Sequence, residues 1–212
     1  MAFHLKNASC VVLGTFNMYI IHPRWLAKHE IIDKGVEVGI QTNLTEPGFR
    51  FLFPQHKTTW TVAPDRIVIE SDDPTIDCGA LVAAVLRKLP ETPFRAIGNN
   101  TVYEADRAET TALTQSLRDF LQTGSPPSGE TVLQHSFSVA ARLGEQREAN
   151  LQMSVEQDRL ELGCNVQTEL RGLEDTAVAC QAAERFFQDR SAIEPLVLHF
   201  FGARIGHGAS NA

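Results

Sequence analysis

Residues 62–69 read VAPDRIVI, and residues 155–162 read VEQDRLEL. Each stretch begins with valine, has an Asp-Arg pair at the same place, and ends with two aliphatic residues separated by one position. This alternation favours a β-strand, and an Asp at the bend favours a turn. The two stretches therefore predict two similar strand–turn–strand segments.

A second repeated pattern occurs in the same order along the chain. Residues 12–19 read VLGTFNMY, and residues 96–103 read AIGNNTVY. Both have an aliphatic residue, a glycine, three variable positions, an aliphatic residue and a tyrosine. Fixed-order self-similarity indicates an internal repeat. The spacings of the two matches, 84 and 93 residues, predict an insertion of 9 residues in the second copy.

Hydrophobic periodicity predicts the same elements in each copy. In the first copy the predicted order is a strand, a helix, a run of strands and a helix: 8–19, 23–35, 36–42, 49–53, 58–62, 66–70 and 72–90. In the second copy the corresponding segments are 94–104, 106–121, 131–142, 148–155, 159–166, a helix from 174 and a short helix over 193–201.

The fold class predicted from these elements is α+β, with an internal duplication of a strand–helix–antiparallel strands–helix unit. Helices of this unit would pack on one face of a curved antiparallel sheet and leave the other face open. A pair of ferredoxin-like units is the alternative. The predicted organisation is a first pseudo-repeat over 1–92, a second over 93–205, and a disordered tail over 206–212.

This tandem order resembles the saddle fold of the TATA-box-binding protein family. The resemblance covers residues 8–190 and is carried by the strands before Tyr19 and Tyr103 and by the Asp-Arg turns. It implies the saddle shape. The chain departs from that family because its second copy has one predicted strand fewer and because it is acidic, so the DNA-binding role is not part of the expectation.

Charge and composition narrow the classes of partner. The formal net charge is -7 and no basic cluster occurs, which disfavours nucleic acid as a partner. No apolar run reaches the ~20 residues that a membrane span needs, and the N-terminus lacks a secretory pattern. We expect a soluble cytoplasmic protein with no membrane contact.

Cysteine spacing predicts neither a metal site nor a cofactor. The four cysteines, Cys10, Cys78, Cys164 and Cys180, are too far apart for a zinc knuckle or a redox pair. Reduced thiols are expected in a cytoplasmic chain, and those in apolar surroundings are expected to be buried.

Two pairs of side chains are candidates for binding, each with a structural alternative. Arg66 and Arg159 follow the turn aspartates and could anchor an anionic partner, or they could be solvated strand ends. Phe51 and Trp60 lie on neighbouring predicted strands. If the face of the sheet that carries these two side chains packs against the helices, they belong to the core. If it is the open face, they form an exposed binding patch.

Asn99 and Asn100 are a third candidate. They follow Gly98 inside a predicted strand, where glycine indicates a bulge or a close approach by another group. Amide side chains at the centre of a saddle could read base edges, or they could simply close the bulge.

An enzymatic site has two candidate sources. Asp72, Asp73 and Asp77 could bind a cation or act as acid and base, although acidic residues also favour helix N-termini. His56 and His199 would be candidate catalytic residues if they converged with Asp77 in a deep pocket.

The leading functional hypothesis is a non-enzymatic binding or assembly protein. It would dock a protein partner, or a second copy of itself, through the open face or an edge of its sheet. A nucleic-acid-binding saddle is the alternative, and an enzyme with an acidic or histidine site is third.

Overall fold

The computed structural model describes residues 2–42, 47–105, 134–156, 159–170 and 176–206. This part of the chain is an α+β protein with one large, mainly antiparallel sheet of ten strands, so the prediction of that class is confirmed. The strands are β1 Ala2–Gly14, β2 Gly39–Thr42, β3 Phe49–Phe53, β4 Thr58–Val62, β5 Arg66–Ser71, β6 Phe94–Ala105, β7 Gln134–Arg142, β8 Arg147–Glu156, β9 Arg159–Glu169 and β10 Arg204–Gly206.

Four α-helices and one short 3-10 helix occur in the described ranges. The α-helices are α1 Pro23–Lys28, α2 Cys78–Leu86, α3 Thr176–Glu184 and α4 Phe186–Phe201, and the 3-10 helix is Pro54–His56. No helix in these ranges combines the length and apolar character needed to cross a bilayer.

The strand order is β2-β3-β4-β5-β1-β6-β9-β8-β7, and all these neighbours are antiparallel. The two long strands β1 and β6 lie side by side at the centre, with Cys10 opposite Asn99. β10 adds to β1 in parallel, with Ala2 opposite Arg204. The chain's last described strand therefore returns to its first.

Burial alternates along the strands, as the sequence pattern requires. On β9, Leu160, Leu162 and Cys164 are buried, and the residues between them are half-buried. β5 alternates in the same way around Val68. One face of the sheet is thus built of buried apolar side chains. The other, which we call the open face, carries mostly half-buried and exposed ones.

Several predicted boundaries differ from those in the structure. The first helix stops at Lys28 because Glu30 has a left-handed backbone with φ of 59°, which a continuing helix does not allow. The last helix starts at Phe186 and not at 193, and it contains Pro195. Gly206, predicted to begin the tail, belongs to β10. Residues 106–133 and 207–212 lie outside the described residues.

The first sequence match does not fall on equivalent positions. Gly14 is the last residue of β1, whereas Gly98 lies inside β6. Tyr19 lies beyond its strand and is 71% exposed, but Tyr103 lies within β6 and is fully buried.

Buried apolar side chains form two clusters. The first joins β1, β3, β4 and β5 with α2 and α3, and Trp60 and Leu86 are among its fully buried members. The second joins β6, β8 and β9 with α4, and it includes Leu151 and Val197. Both clusters include residues of the central strands, with Ile97 of β6 in the first and Phe3 of β1 in the second.

Helices α2 and α3 approach each other closely through small residues. A Cβ added to Gly79 would lie 2.0 Å from the carbonyl oxygen of Ala183 and 2.7 Å from Cβ of Phe186. The Cys180 thiol lies 3.7 Å from the carbonyl oxygen of Ala83. Only glycine fits at position 79, so this residue sets the distance between the helices.

We expect Gly79→Ala to lower the free energy of unfolding by about 2 kcal/mol. Overpacking costs roughly 1–3 kcal/mol, and the better helix propensity of alanine returns at most about 1 kcal/mol. Urea denaturation measures the difference. Gly144→Ala is the control, since no described atom lies within 4 Å of its added Cβ. An unchanged midpoint for Gly79→Ala would contradict the close contact.

Candidate binding face of the sheet

A row of uncharged polar side chains crosses the open face. The row follows directly paired residues on β1, β6, β9 and β8, and we call it the amide row: Ser9, Asn100, Asn165 and Asn150. Residues directly opposite each other in an antiparallel sheet point to the same side. The four side chains therefore lie next to one another on one surface.

Hydrogen bonds connect three members of the amide row. Asn165 Nδ2 donates to Asn100 Oδ1 over 2.6 Å. Asn100 Nδ2 lies 3.4 Å from both Ser9 Oγ and the carbonyl oxygen of Gly98. Among the described residues, the buried Oδ1 atom of Asn165 has no hydrogen-bond partner. The row is ordered by its own contacts and keeps unused hydrogen-bonding capacity.

Two glycines lie beside the row on the same face. Gly98 precedes Asn100 by two positions, and Gly163 precedes Asn165 by two. Gly163 helps to line a shallow depression of about 420 Å³, together with Asn100, Val102, Ala140, Gln152 and Asn165. The floor of this depression is flat because no side chain rises from Gly163.

Neither glycine is required by the backbone. Positive φ angles occur at Gly35 and Gly202 among the described glycines, and not at Gly98 or Gly163. The register irregularities of the β1–β6 pair lie elsewhere, so Gly98 is not at a bulge. An added Cβ would have ordinary contacts, 3.4 Å to Asn165 Nδ2 for Gly98 and 3.7 Å to the Gln152 carbonyl oxygen for Gly163.

Charged side chains near the amide row have partners of opposite sign within the chain. Lys6 pairs with Glu161. Arg50 pairs with Glu70 over 2.8 Å. In these two pairs the carboxylates neutralise Lys6 and Arg50, which weakens the attraction of the two cations for phosphate groups.

The structure separates the two predicted asparagines onto opposite faces. Asn100 belongs to the amide row, but Asn99 is 6% exposed on the buried face. Asn99 Nδ2 donates to the carbonyl oxygen of Ala182 over 3.1 Å and to Asp189 Oδ2 over 2.8 Å. Neighbours along a strand point to opposite sides, so one sequence motif supplies both faces.

Phe51 and Trp60 are core residues, with exposures of 2% and 0%. They pair directly across β3 and β4. Trp60 Nε1 donates to Thr58 Oγ1 over 3.0 Å, which satisfies the indole in the interior. Neither side chain can contact a partner at the surface, because their side of the sheet is the buried one.

The two predicted arginine anchors lie on different strands. Arg66 is half-buried at the start of β5, and its Nη1 lies 3.3 Å from both carboxylate oxygens of Asp65. Arg159 is exposed at the start of β9. The central strands β1 and β6 separate β5 from β9, so the two arginines do not form one cluster.

Asp73 and Asp77 of the predicted acidic cluster form hydrogen bonds with nearby residues. Asp77 caps α2 by accepting from the Ala80 amide over 2.8 Å. Asp73 accepts from Lys57 Nζ over 2.6 Å and from both the amide and hydroxyl of Thr75. The Lys57 hydrogen bond, followed by those from Thr75, holds the pKa of Asp73 well below its usual range. In the described ranges no three potential ligands group into a metal site.

The two candidate histidines have separate surroundings. His56 Nε2 lies 3.6 Å from Asp33 Oδ2, beside the 3-10 helix. His199 is exposed near the end of α4, where its ring contacts Phe200. The Asp77 carboxylate serves its own helix, as described above. None of these contacts brings the three residues together.

A buried polar network was not anticipated from the sequence. Asp189 is 1% exposed on α4 and accepts from Asn99 and from Arg147 of β8. It shares the buried side of its helix with Phe186 and Ile193, at spacings of three and four. An aspartate within an apolar helical stripe is the signal that could have predicted a buried ionic partner.

The amide row itself was only partly anticipated. Its Asn100 was a candidate, but Asn165, Asn150 and Gly163 were not. A glycine and an asparagine two positions apart inside the apolar strand β9 were the available signal. Whether these two residues lie beside Asn100 depends on the register of β9 with β6, and the sequence does not reveal that register.

All four thiols are buried and unpaired with each other. Burial raises the pKa of Cys78 and Cys164 to about 12. Burial likewise raises the pKa of Cys10 and of Cys180. Neutral thiols are poor nucleophiles, so these side chains act as small apolar groups.

No family model matches the sequence, and no curated protein matches it at a significant level.

We expect Asp189→Ala to lower the free energy of unfolding by about 3 kcal/mol, because Arg147 would lose its buried partner. The lower part of the typical range applies, since 24% of the Arg147 side chain is exposed. Urea denaturation measures this loss. The double variant Asp189→Leu with Arg147→Met should be more stable than Asp189→Ala, since it leaves no unpaired charge. Equal losses would contradict the network.

We expect the native protein to react negligibly with a thiol reagent at pH 8, whereas the unfolded chain exposes four reactive thiols. The folded state keeps the Cys164 proton up to about pH 12. An unfolded thiol loses its proton near pH ~8.5, so this contribution to stability declines as pH rises above ~8.5. Cys164→Ala should reduce the decline measured by denaturation at pH 8 and pH 10. Fast native labelling would contradict the burial.

Proposed function

We propose that this chain is a non-enzymatic binding protein that docks a protein partner on the open face of its sheet, at the amide row. The observation that carries the proposal is the pair of glycines beside that row. Gly98 and Gly163 occupy regular strand positions where a side chain would fit.

Glycine inside a strand has a cost, because it adds conformational entropy to the unfolded chain and buries no side chain. Glycine usually occurs inside a strand because the backbone has a positive φ, because the strand bulges, or because a neighbouring group leaves no room for a side chain. Gly163 has none of these among the described residues. The remaining reason is close approach by a group from outside the chain, and a flat floor permits that approach.

The chemistry of the row suits a polypeptide main chain. Each asparagine offers two N–H donors and a carbonyl acceptor, which match the C=O and N–H groups of an extended segment. Neighbouring strands are ~4.8 Å apart, so the row presents such groups at regular intervals across four strands. Val102 and Ala140 add apolar contact at the edges of the depression.

Charge favours protein over nucleic acid as the partner. A phosphate backbone is bound mainly by unpaired Lys and Arg. Near the amide row Lys6 and Arg50 already have acidic partners, and the chain carries a net charge of -7. A nucleic-acid-binding saddle remains the alternative function, with Asn100 at its centre and Arg66 and Arg159 on separate halves.

The states of the candidate catalytic groups support a binding role. The thiols are buried with raised pKa values. Asp77 is bonded to the amide of Ala80, and Asp73 to Lys57 and Thr75. Reduced, inaccessible thiols also suit the reducing cytoplasm, where we propose that the protein acts.

We further propose that the two halves arose by duplication, in the arrangement of the TATA-box-binding protein family. One spacing supports this. Trp60 pairs with Ile69, and 93 residues later Met153 pairs with Leu162. Ala8 pairs with Ser71, and 93 residues later Thr101 pairs with Cys164.

The same spacing relates β1, β4 and β5 to β6, β8 and β9. The flanking helices add support, because α2 follows β5 and contacts β1, whereas α3 follows β9 and contacts β6. We propose that these helices cover one face of a curved sheet. No described strand corresponds to β2 in the second half, and residues 106–133 between β6 and β7 lie outside the described ranges.

Peptides selected from a random library on the wild-type protein should bind Gly163→Val at least about tenfold more weakly, a loss of about 1.4 kcal/mol. Valine suits a strand, so stability should be kept while its methyl groups fill the depression. Fluorescence polarisation with the selected peptides measures the affinity.

Thr61→Val is the matched control. Thr61 is half-buried on β4 among the residues lining a separate depression near Arg66. Its substitution should leave peptide affinity unchanged. Equal binding by Gly163→Val would refute the proposed site. Selection of no peptide, together with salt-sensitive binding of duplex DNA or RNA, would favour the alternative.

A further inference from the structure

We infer that the outer edge of β2 pairs with β2 of a second copy of this chain, joining two sheets edge to edge about a twofold axis. β2 is the last strand of the sheet order, and no described strand is hydrogen-bonded to its outer side. This interface is separate from the amide row, which lies on β1, β6, β8 and β9, so the inference does not rest on the proposed function.

The edge lacks most of the features that keep strands from pairing. Natural edge strands are protected by very short length, charged residues, proline or bulges, and β2 has only the first of these features. The β2 sequence Gly39-Ile40-Gln41-Thr42 has no charge and no proline, and its register with β3 is regular. All four residues are exposed, and Ile40 is 61% exposed.

Exposed apolar side chains accompany this edge. Ile40 pairs with the core residue Phe51, so it lies on the apolar side of the sheet. Tyr19 is 71% exposed and its ring contacts Phe49, whose ring in turn stacks on that of Phe51. A partner strand would therefore gain backbone hydrogen bonds and cover Ile40 and Tyr19 at the same time.

A second copy fits this edge for two reasons. Antiparallel pairing of two identical uncharged strands brings no like charges opposite each other. An unpaired edge can also pair with any accessible strand, and the β2 edge of another copy is available wherever this protein is present. A twofold axis closes the contact, so it forms a dimer and not a filament.

The dimer should be weak, because a strand of four residues buries little surface. We expect sedimentation velocity over about 1–500 µM to show a reversible monomer–dimer equilibrium, following mass action. Ile40→Lys should weaken dimerisation at least about tenfold, since a lysine at the edge protects it. Its melting temperature at low concentration should be unchanged, because Ile40 is mostly exposed.

Leu198→Lys is the matched control, since it removes another exposed aliphatic residue, 51% exposed, from α4. It should leave the dimer unchanged, as should Gly163→Val. Thr42→Lys, at the end of β2, should weaken the dimer and provides the test if Ile40→Lys does not fold. A wild-type monomer at every concentration, or a dimer lost with Leu198→Lys and kept with both β2 variants, would overturn the inference.

Discussion

The antiparallel pairing of β1 with β6 is the contact on which the rest of the structure depends. It joins eleven residue pairs, more than any other strand pair in the described part of the chain. β1 also pairs with β5 and β10, and β6 pairs with β9. A one-residue slip in this register would move the side chains of the slipped strand to the other face, because strand side chains alternate.

This register places the adjacent residues Asn99 and Asn100 on opposite faces of the sheet, where they make different contacts. Asn99 faces inward and satisfies the buried carboxylate of Asp189, whereas Asn100 faces outward into the amide row. On the inward side Asn99 and Arg147 both bond to Asp189, although Asn99 Oδ1 and Arg147 Nε have no hydrogen-bond partner among the described residues. The outward side combines ordered amides with two glycines at regular strand positions, and the proposed binding role rests on this combination.

The helices are held in place by two different kinds of contact, one between two helices and one between a helix and the sheet. At Gly79 the contact is steric, because backbone atoms of α3 lie where a side chain would be. At Asp189 the contact is electrostatic, since a buried carboxylate connects α4 with β6 and β8. The Gly79 contact sets the distance between α2 and α3. The Asp189 contact fixes the position of α4 relative to β6 and β8.

The sequence by itself determined the class of fold and most strand positions, because alternation of apolar residues is a local property that any stretch such as 58–62 or 159–166 displays. It also indicated that Asp77 suits a helix start, whereas Asp73, for which the same was expected, lies before the helix and accepts from Lys57 and Thr75. Only the tertiary structure decided which face each strand presents, and so placed Phe51 and Trp60 in the core. The partnership of Asn100 with Asn165, and of Asp189 with Arg147, was likewise decided there. The physical reason is that facing depends on the register between strands distant in sequence, and a local pattern carries no information about that register.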